Sequence, residues 1–218
     1  MSSPVVVVVG AGPGVSGSVA RKFGREGYDT VLVGLDPAVL DDLAATLRVD
    51  GIETVVHVVD ITDTKAFKAA LTSIGETAGR IDVLHFNPSA FRQKSPLELS
   101  PDELAEDIGL GVGALLTAVQ GVRPFMSAGG RVTATGSMAA DRPWNEAASL
   151  GVQKAGLRNL VQSIDATLRS DGIRAVSVTV RGTLGKEGAF TPDRVAEAIW
   201  SAAGQDETNW ATELSYAG

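Results

Sequence analysis

The sequence predicts a doubly wound, mostly parallel β-sheet with helices on both faces, a three-layer α/β/α fold. Short runs rich in β-branched residues alternate with segments of helical spacing along the whole chain. Hydrophobic residues make up 44% of the chain but aromatic residues only 5%, which suits strands buried on both faces. Because the connections between units are short, right-handed crossovers and parallel strands are expected.

Each element has a local signature. The first strand, 5–9, is an unbroken valine run, and the first helix, 15–26, ends at Gly27. The predicted helix 102–126 follows a Ser100 cap and has Pro101 at its start. The last predicted helix, 192–203, has Thr191 as its cap. The other predicted elements are strand 30–34, helix 37–48, strand 54–59, helix 64–78, strand 81–86, helix 102–126, strand 131–135, helix 147–170, strand 173–180, helix 192–203 and a short strand 210–214.

Composition limits the possible functions. The net charge of −7 and the lack of a basic stripe disfavour nucleic acid as a partner. The chain has no cysteine, which excludes disulfides, thiol catalysis and thiolate metal sites, and no metal site is predicted. We expect one domain over residues 1–218, no signal peptide, no apolar segment long enough to span a membrane, and a cytoplasmic location.

A glycine-rich loop joins the first strand to the first helix. It contains Gly10, Gly12, Gly14 and Gly17, so the backbone can turn sharply and approach a ligand closely. The helix that follows offers free N–H groups and a positive dipole to a phosphate. This context predicts dinucleotide binding, although glycines also serve any tight turn.

Downstream, Ser137 ends a run from Gly130 that contains the fifth predicted strand, and Leu150 and Lys154 lie four residues apart on the next helix. With the glycine loop, this frame resembles the short-chain dehydrogenase/reductase family over nearly the whole chain, which implies a Rossmann fold that binds NAD or NADP. The resemblance implies that Ser137 holds the substrate oxygen and that Lys154 binds the nicotinamide ribose. The family's proton-transferring tyrosine is replaced by Leu150.

Other catalytic positions of the family also differ. Its helix asparagine corresponds to Gly109 or Leu110, and an alternative tyrosine position corresponds to Ala147. Tyr28 and Tyr216 lie in unsuitable parts of the chain. Ser137, Lys154 or a water is then left as proton donor; His85 is another candidate by type, although a buried structural histidine is the favoured interpretation.

The resemblance also implies cofactor-binding residues. These are Gly10, Gly12, Gly14, Ser16 at the third glycine position, Asp60, Asn87 and Lys154. Asp60 contacts the adenine or takes part in a helix cap, and Asn87 orders the backbone near the nicotinamide ribose or serves a turn. Gly34 and Leu35 carry neither determinant that separates NAD from NADP, and Asp36 either repels a 2′-phosphate or caps a helix.

The substrate loop after the sixth strand is short, as if the family's lid were nearly deleted. Arg181 in this loop is available for a cofactor phosphate, an acidic substrate or a surface ion pair. The family forms dimers through its two long helices, so a homodimer or homotetramer is expected. Gly109, Gly111 and Gly113 allow close helix approach there or make room for the cofactor.

Three hypotheses follow. The chain is an NAD(P)-dependent oxidoreductase of a carbonyl or alcohol substrate with a degenerate active site, a catalytically silent dinucleotide-binding sensor or regulator, or a structural partner of another subunit. Dinucleotide binding and turnover separate them.

Overall fold

The computed structural model describes residues 3–218, and within them the chain forms one seven-stranded sheet between two layers of helices. The strands are β1 Val5–Val9, β2 Asp29–Gly34, β3 Thr54–Val58, β4 Val83–Phe86, β5 Arg131–Ser137, β6 Arg174–Val180 and β7 Glu213–Tyr216. The helices are α1 Val15–Arg25, α2 Pro37–Val49, α3 Thr64–Ala78, α4 Pro101–Ile108, α5 Ala114–Val122, α6 Ala148–Leu168 and α7 Pro192–Ala203. The predicted three-layer fold is confirmed.

The sheet order is β3-β2-β1-β4-β5-β6-β7, and every neighbouring pair is parallel. The chain leaves β1 in one direction through β2 and β3, then returns to β4 on the other side of β1. The carboxyl ends of β1 and β4 therefore flank the switch point where open α/β sheets bind ligands.

The valine run of β1 serves both faces of the sheet. Val5, Val7 and Val9 pack on the side of α3, α5 and α6, and Val6 and Val8 pack on the side of α1, α2 and α7. Successive side chains of a strand point to opposite faces, so a buried central strand requires apolar residues at every position.

Two elements differ from the sequence prediction by more than two residues. The long predicted helix is interrupted by a π-helical turn, Gly109–Gly113, between α4 and α5. The last strand begins at Glu213 rather than at Trp210. Trp210 instead donates its indole N–H to the Ala175 carbonyl and stacks against two arginine side chains, so it anchors the segment that leads into β7.

The expectation that no segment could span a membrane needs correction. The helical stretch Pro101–Phe125 is long enough and has a mean hydropathy of 1.3 in its most apolar window. About 44% of that window is buried inside the fold, where it packs on α3 and α6. Helices in the core of a protein meet the same criteria of length and composition, so the property is weak evidence for a membrane span.

Candidate active site

A cavity of about 400 Å³ opens at the carboxyl ends of β1, β4, β5 and β6. It brings the predicted cofactor and catalytic segments together. Its lining consists of Gly14, Val15, Asn87, Ser89, Phe91, Thr135, Gly136, Ser137, Leu150, Lys154, Val180, Gly182 and Leu184.

The glycine loop is shaped by contacts that side chains would prevent. Gly10 has a φ of 74°, and a Cβ there would lie 2.8 Å from the Pro88 ring. Its N–H and that of Ala11 both donate to the Val33 carbonyl, which ties the loop to β2. A Cβ at Gly14, in contrast, would project into open space at the start of α1. The loop is thus closely packed at Gly10 and open to solvent at Gly14, which fits a ligand that approaches the backbone there.

The serine at the third glycine position holds the loop from behind. Ser16 is buried, and its hydroxyl donates to the Gly10 carbonyl over 2.9 Å. A residue without a Cβ is required one position later, at Gly17, because a Cβ there would lie 2.5 Å from the Gly12 oxygen. The departure from the family pattern therefore shifts the close packing by one residue and leaves the turn closed.

The start of α1 is suited to an anion. Its N-cap residue, Gly14, supplies no side-chain hydrogen bond, and no acidic residue lies in the first turn. The first N–H groups of the helix are therefore left for a ligand, and the helix dipole adds positive potential.

Two aspartates, one after β2 and one after β3, have local partners. Asp36 is the N-cap of α2 and accepts from the Ala38 and Val39 N–H groups, which confirms the helix-cap interpretation. Asp60 is exposed and accepts from the N–H and hydroxyl of Thr62, bonds that lower its pKa. The N-cap of α3 is Asp63, so Asp60 closes a turn after β3 instead of capping the helix.

Asn87 lies where β4 ends, beside the glycine loop. Its N–H donates to the Val9 carbonyl, and the next residue, Pro88, packs on Gly10. Across residues 3–218 its side-chain amide has no hydrogen-bond partner, although it lines the cavity. The amide is therefore free to bind a ligand.

Ser137, Leu150 and Lys154 all reach the cavity. The Ser137 Oγ accepts from the Ala139 N–H, which leaves its hydroxyl hydrogen free to donate. Leu150 lies one turn before Lys154 on α6 and so shares its helix face. Between them, Gly151 lets α6 approach the segment after β5, because a Cβ there would be 2.8 Å from the Ala139 oxygen.

Lys154 is the one charged side chain in the lining that the described residues provide, and it is 5% exposed. Its Nζ donates to the Thr135 carbonyl over 2.8 Å. Burial lowers the pKa of Lys154 from its ordinary 10.5 to about 8. The ammonium group therefore gives up its proton at a lower pH than an ordinary lysine does.

His85 has a structural role, as the sequence favoured. It is fully buried in β4, and its two ring nitrogens lie 2.9 Å from the Thr133 hydroxyl and 3.5 Å from the Thr135 hydroxyl. Burial, and next the charge of Lys154, lower the pKa of His85 to about 3. The imidazole is neutral and cannot donate a proton as an imidazolium.

Sequence analysis missed Gln153, which fixes the wall of the cavity. Gln153 is buried; its Oε1 accepts from the Ala90 N–H at 2.9 Å, and its Nε2 donates to the Ala90 carbonyl at 3.3 Å. A Cβ at Gly111 would lie 2.5 Å from that Oε1, so the π-helical turn makes room for this side chain. The signal in the sequence was a glutamine on the buried face of a helix, opposite glycines spaced by two.

The same loop is held again two residues later, at Arg92, by Asp107, a second residue that sequence analysis missed. Asp107 is buried and binds Arg92 through two hydrogen bonds and the Ser149 hydroxyl through one of 2.6 Å. Burial alone would raise the pKa of Asp107, but these bonds outweigh it and the pKa is lowered. The carboxylate therefore fastens the 87–100 loop to the start of α6.

The loop after β6 folds away from the cavity. Arg181 donates to the Ser215 hydroxyl and to Asp141, so the ion-pair interpretation of this arginine is confirmed. Farther along, the Tyr216 hydroxyl donates to the Ala189 carbonyl, and Phe190 packs on Gly182. Residues 181–191 are thus pinned to β7, and only Gly182 and Leu184 of this loop line the cavity.

Residues 4–186 match the family model of short chain dehydrogenase. The chain is 29% identical over 184 residues to oxidoreductase UcpA of Escherichia coli K12, covering 82% of this chain and 68% of the relative. It is 30% identical over 176 residues to meso-2,3-butanediol dehydrogenase of Serratia marcescens, covering 80% and 69%.

Solved structures agree with this match. A metagenomic short-chain oxidoreductase in complex with NADP is 25% identical and superposes with a TM-score of 0.87, covering 100% of this chain and 99% of the other. A short chain dehydrogenase from Burkholderia cenocepacia J2315, 23% identical, shares the fold with a TM-score of 0.90 over 99% and 96% of the two chains.

Proposed function

Because the chain belongs to the short-chain dehydrogenase family, we propose that it is an oxidoreductase that uses NAD or NADP to interconvert a carbonyl and an alcohol on a small molecule. The observation that carries the proposal is the cavity that joins the glycine loop to Ser137 and Lys154. The NADP found in the metagenomic oxidoreductase supports a dinucleotide here as well.

The residues present fit such a cofactor. Gly10, Gly12 and Gly14, with the buried Ser16 behind them, would hold the pyrophosphate at the N-terminus of α1. The free amide of Asn87 and the ammonium of Lys154 would hold the nicotinamide ribose, and Asp60 the adenine. Gly34 and Leu35 select neither NAD nor NADP.

When bound, the dinucleotide supplies or accepts the hydride. In the direction of carbonyl reduction, Ser137 donates a hydrogen bond to the substrate oxygen and Lys154 transfers a proton to it, which leaves a neutral amine that is reprotonated from solvent. A lysine with a pKa near 8 is suited to this role, because general acids work best when their pKa lies near the working pH.

We propose that the site is degenerate, above all through the replacement of the proton-donating tyrosine by Leu150, and also through the missing helix asparagine and the short lid. A leucine has no exchangeable proton, so Lys154 takes over that task. The reaction should be slower than with a tyrosine by up to the ~10²–10⁴-fold that a positioned acid contributes.

The single-domain organisation over residues 1–218 and the cytoplasmic location stay predictions of the sequence.

The test is a fluorescence titration with NADH and with NADPH, followed by turnover on a panel of ketones, aldehydes and alcohols. Gly14→Ala should fold normally and bind the dinucleotide more weakly, because its Cβ enters open space in front of the loop. Gly109→Ala is the matched control, since a Cβ there also meets open space but lies in the π-helical turn, outside the glycine loop. Binding without turnover would instead indicate a silent dinucleotide-binding protein, and failure to bind either dinucleotide would reject both functions.

A further inference from the structure

We propose that the substrate is an uncharged carbonyl compound or alcohol with an aromatic ring next to its reacting carbon. The inference rests on the proposed function and specifies its substrate class. It is carried by the distribution of charge and of exposed apolar side chains around the cavity.

The cavity contains nothing that would bind an anionic substrate away from the reacting centre. Lys154 supplies the single charge in the lining of the described chain, and its ammonium lies beside Ser137's strand. Arg181 is held by Asp141 and Ser215 instead of facing the cavity. A carboxylate carried on the far side of a substrate would therefore lose water without gaining a partner.

The outer part of the cavity is apolar and exposed. Phe91 and Leu184 are 56% and 50% exposed, and Leu150 also lines the cavity, one helical turn from Lys154. Large apolar side chains clustered at the mouth of a cavity mark a surface that a ligand covers. Replacing a tyrosine by Leu150 extends this apolar wall to the reacting centre.

The mouth of the cavity is aromatic. The ring of Phe91 contacts that of Trp144 with centroids 5.6 Å apart and planes tilted by 41°. Trp144 is held in turn by a hydrogen bond from its indole N–H to Glu146. Phe91 is thus supported from behind and presents an aromatic surface, which favours a ring as its partner.

Few polar side chains of the lining are left for the substrate. Asn87 and Lys154 are assigned to the nicotinamide ribose and the Thr135 hydroxyl lies beside His85, which leaves Ser137 at the reacting centre and the exposed Ser89. The Ser137 hydroxyl hydrogen is free because its oxygen already accepts from Ala139. It can bind a single substrate oxygen, the carbonyl or hydroxyl that reacts. The remainder of the substrate is recognised by apolar contact, which discriminates modestly among apolar groups but strongly against charge.

The experiment titrates dinucleotide-saturated protein with 2-acetylnaphthalene and with 6-acetyl-2-naphthoate, which differ by one carboxylate. We expect the neutral ketone to bind at least about tenfold more tightly, because the carboxylate would be buried without a partner. Phe91→Ala and Leu184→Ala should each weaken its binding by roughly five- to tenfold through lost apolar area. Leu97→Ala is the control, since Leu97 is 99% exposed on the same loop as Phe91 but does not line the cavity.

Equal or tighter binding of the naphthoate overturns the proposal, and so does an unchanged affinity in both cavity variants. Weaker ketone binding in Phe91→Ala, with unchanged binding in Leu184→Ala, also overturns the proposal. The ketone would then occupy the neighbouring groove that Trp144 lines. If neither dinucleotide binds, the proposed function fails. The same titrations of dinucleotide-free protein then decide the substrate class by the same two criteria. An equal affinity of Phe91→Leu and the original protein would argue against the aromatic requirement.

Discussion

We propose that Lys154 carries the proton-transfer chemistry that the leucine at position 150 cannot. Its ammonium lies in a nearly closed environment with the Thr135 carbonyl as its protein partner. Below a pH of about 8 the folded protein keeps this poorly solvated charge, whereas the unfolded chain holds the proton up to about 10.5. Since the unfolded state binds more protons between these values, the free energy of unfolding should rise with pH in this window.

The first prediction concerns Lys154→Met. Turnover should fall by at least about 100-fold with the loss of the acid. The free energy of unfolding of dinucleotide-free protein at pH 7 should rise by at most about 3.5 kcal/mol, because burial lowers the pKa of Lys154 from 10.5 to about 8 and one pKa unit corresponds to about 1.4 kcal/mol. Steady-state kinetics and urea unfolding measure these two effects.

The rate of reduction should decline as pH rises through about 8, and Ser137→Ala should lower the rate without moving that inflection.

A second prediction concerns Leu150→Tyr. If the frame of Ser137 and Lys154 is intact, the added hydroxyl should raise turnover by up to about 10²–10⁴-fold. Leu150→Phe is the matched control, because it adds the ring without the proton. No gain in the tyrosine variant, with dinucleotide binding retained, would mean that the missing helix asparagine or the short lid limits the reaction instead.

The elements around the site are held together by bonds between segments that are far apart in the chain. The π-helical turn between α4 and α5 makes room for Gln153 of α6, whose amide clamps the backbone of Ala90. π-Helical turns within helices are frequent at functional sites. This one links α4, α6 and the loop that carries Asn87 and Phe91.

At this scale we predict that Gln153→Leu lowers the free energy of unfolding by about 1–3 kcal/mol, because the N–H and carbonyl of Ala90 lose their partner. Dinucleotide affinity should fall with it, since the same loop carries Asn87. Gly111→Ala should be similarly destabilising through the collision with Gln153. In the double variant Gly111→Ala/Gln153→Ala the collision with Oε1 disappears and only the 3.1 Å contact with the Cβ of residue 153 remains, so the effects of Gly111→Ala and Gln153→Ala should be less than additive. Additive effects would show that the two residues do not act together.

The N-cap of α2 provides a further prediction. Asp36→Ala should lower the free energy of unfolding by about 1 kcal/mol, whereas Asp36→Asn should change it little, because asparagine caps a helix equally well. Thermal unfolding measures both. Neither variant should alter the ratio of NADH to NADPH affinity; a gain in NADPH affinity for Asp36→Asn would place the carboxylate near the ribose instead.

For the whole molecule, we propose the homodimer or homotetramer that the sequence predicts. Leu116 of α5 and Val152 of α6 are exposed, and Val152 lines an apolar groove of about 490 Å³ between α4 and α6. Contiguous exposed apolar patches often mark interaction sites, and we propose that this face is the interface. Gly111 is used within the chain, but Gly109 and Gly113 remain exposed on the interrupted helix.

Leu116→Glu together with Val152→Glu should therefore convert the oligomer to a monomer, which light scattering after size-exclusion chromatography measures. The control is Val49→Glu, because Val49 is exposed at the end of α2, on another side of the sheet. An unchanged mass in the double variant, or a monomer before any substitution, would contradict the proposal.

Local signals predicted much of this protein. The valine run, the helical spacings and the caps at Asp36, Ser100 and Thr191 were legible because strands, helices and caps depend on neighbours within a few residues. The frame of Ser137, Leu150 and Lys154 was legible through its resemblance to a family. The shift of β7 was not, because it depends on Trp210 meeting residues of β5 and β6.

The sequence by itself determined the order of strands and helices, the glycine loop and the absence of a tyrosine beside Lys154. Only the tertiary structure decided that Ser16 closes the loop from behind, that Arg181 is occupied by Asp141, and that Gln153 clamps Ala90 across 63 residues of chain. Periodicity and caps are properties of neighbouring residues, whereas hydrogen bonds between distant segments exist only once the sheet has brought those segments together.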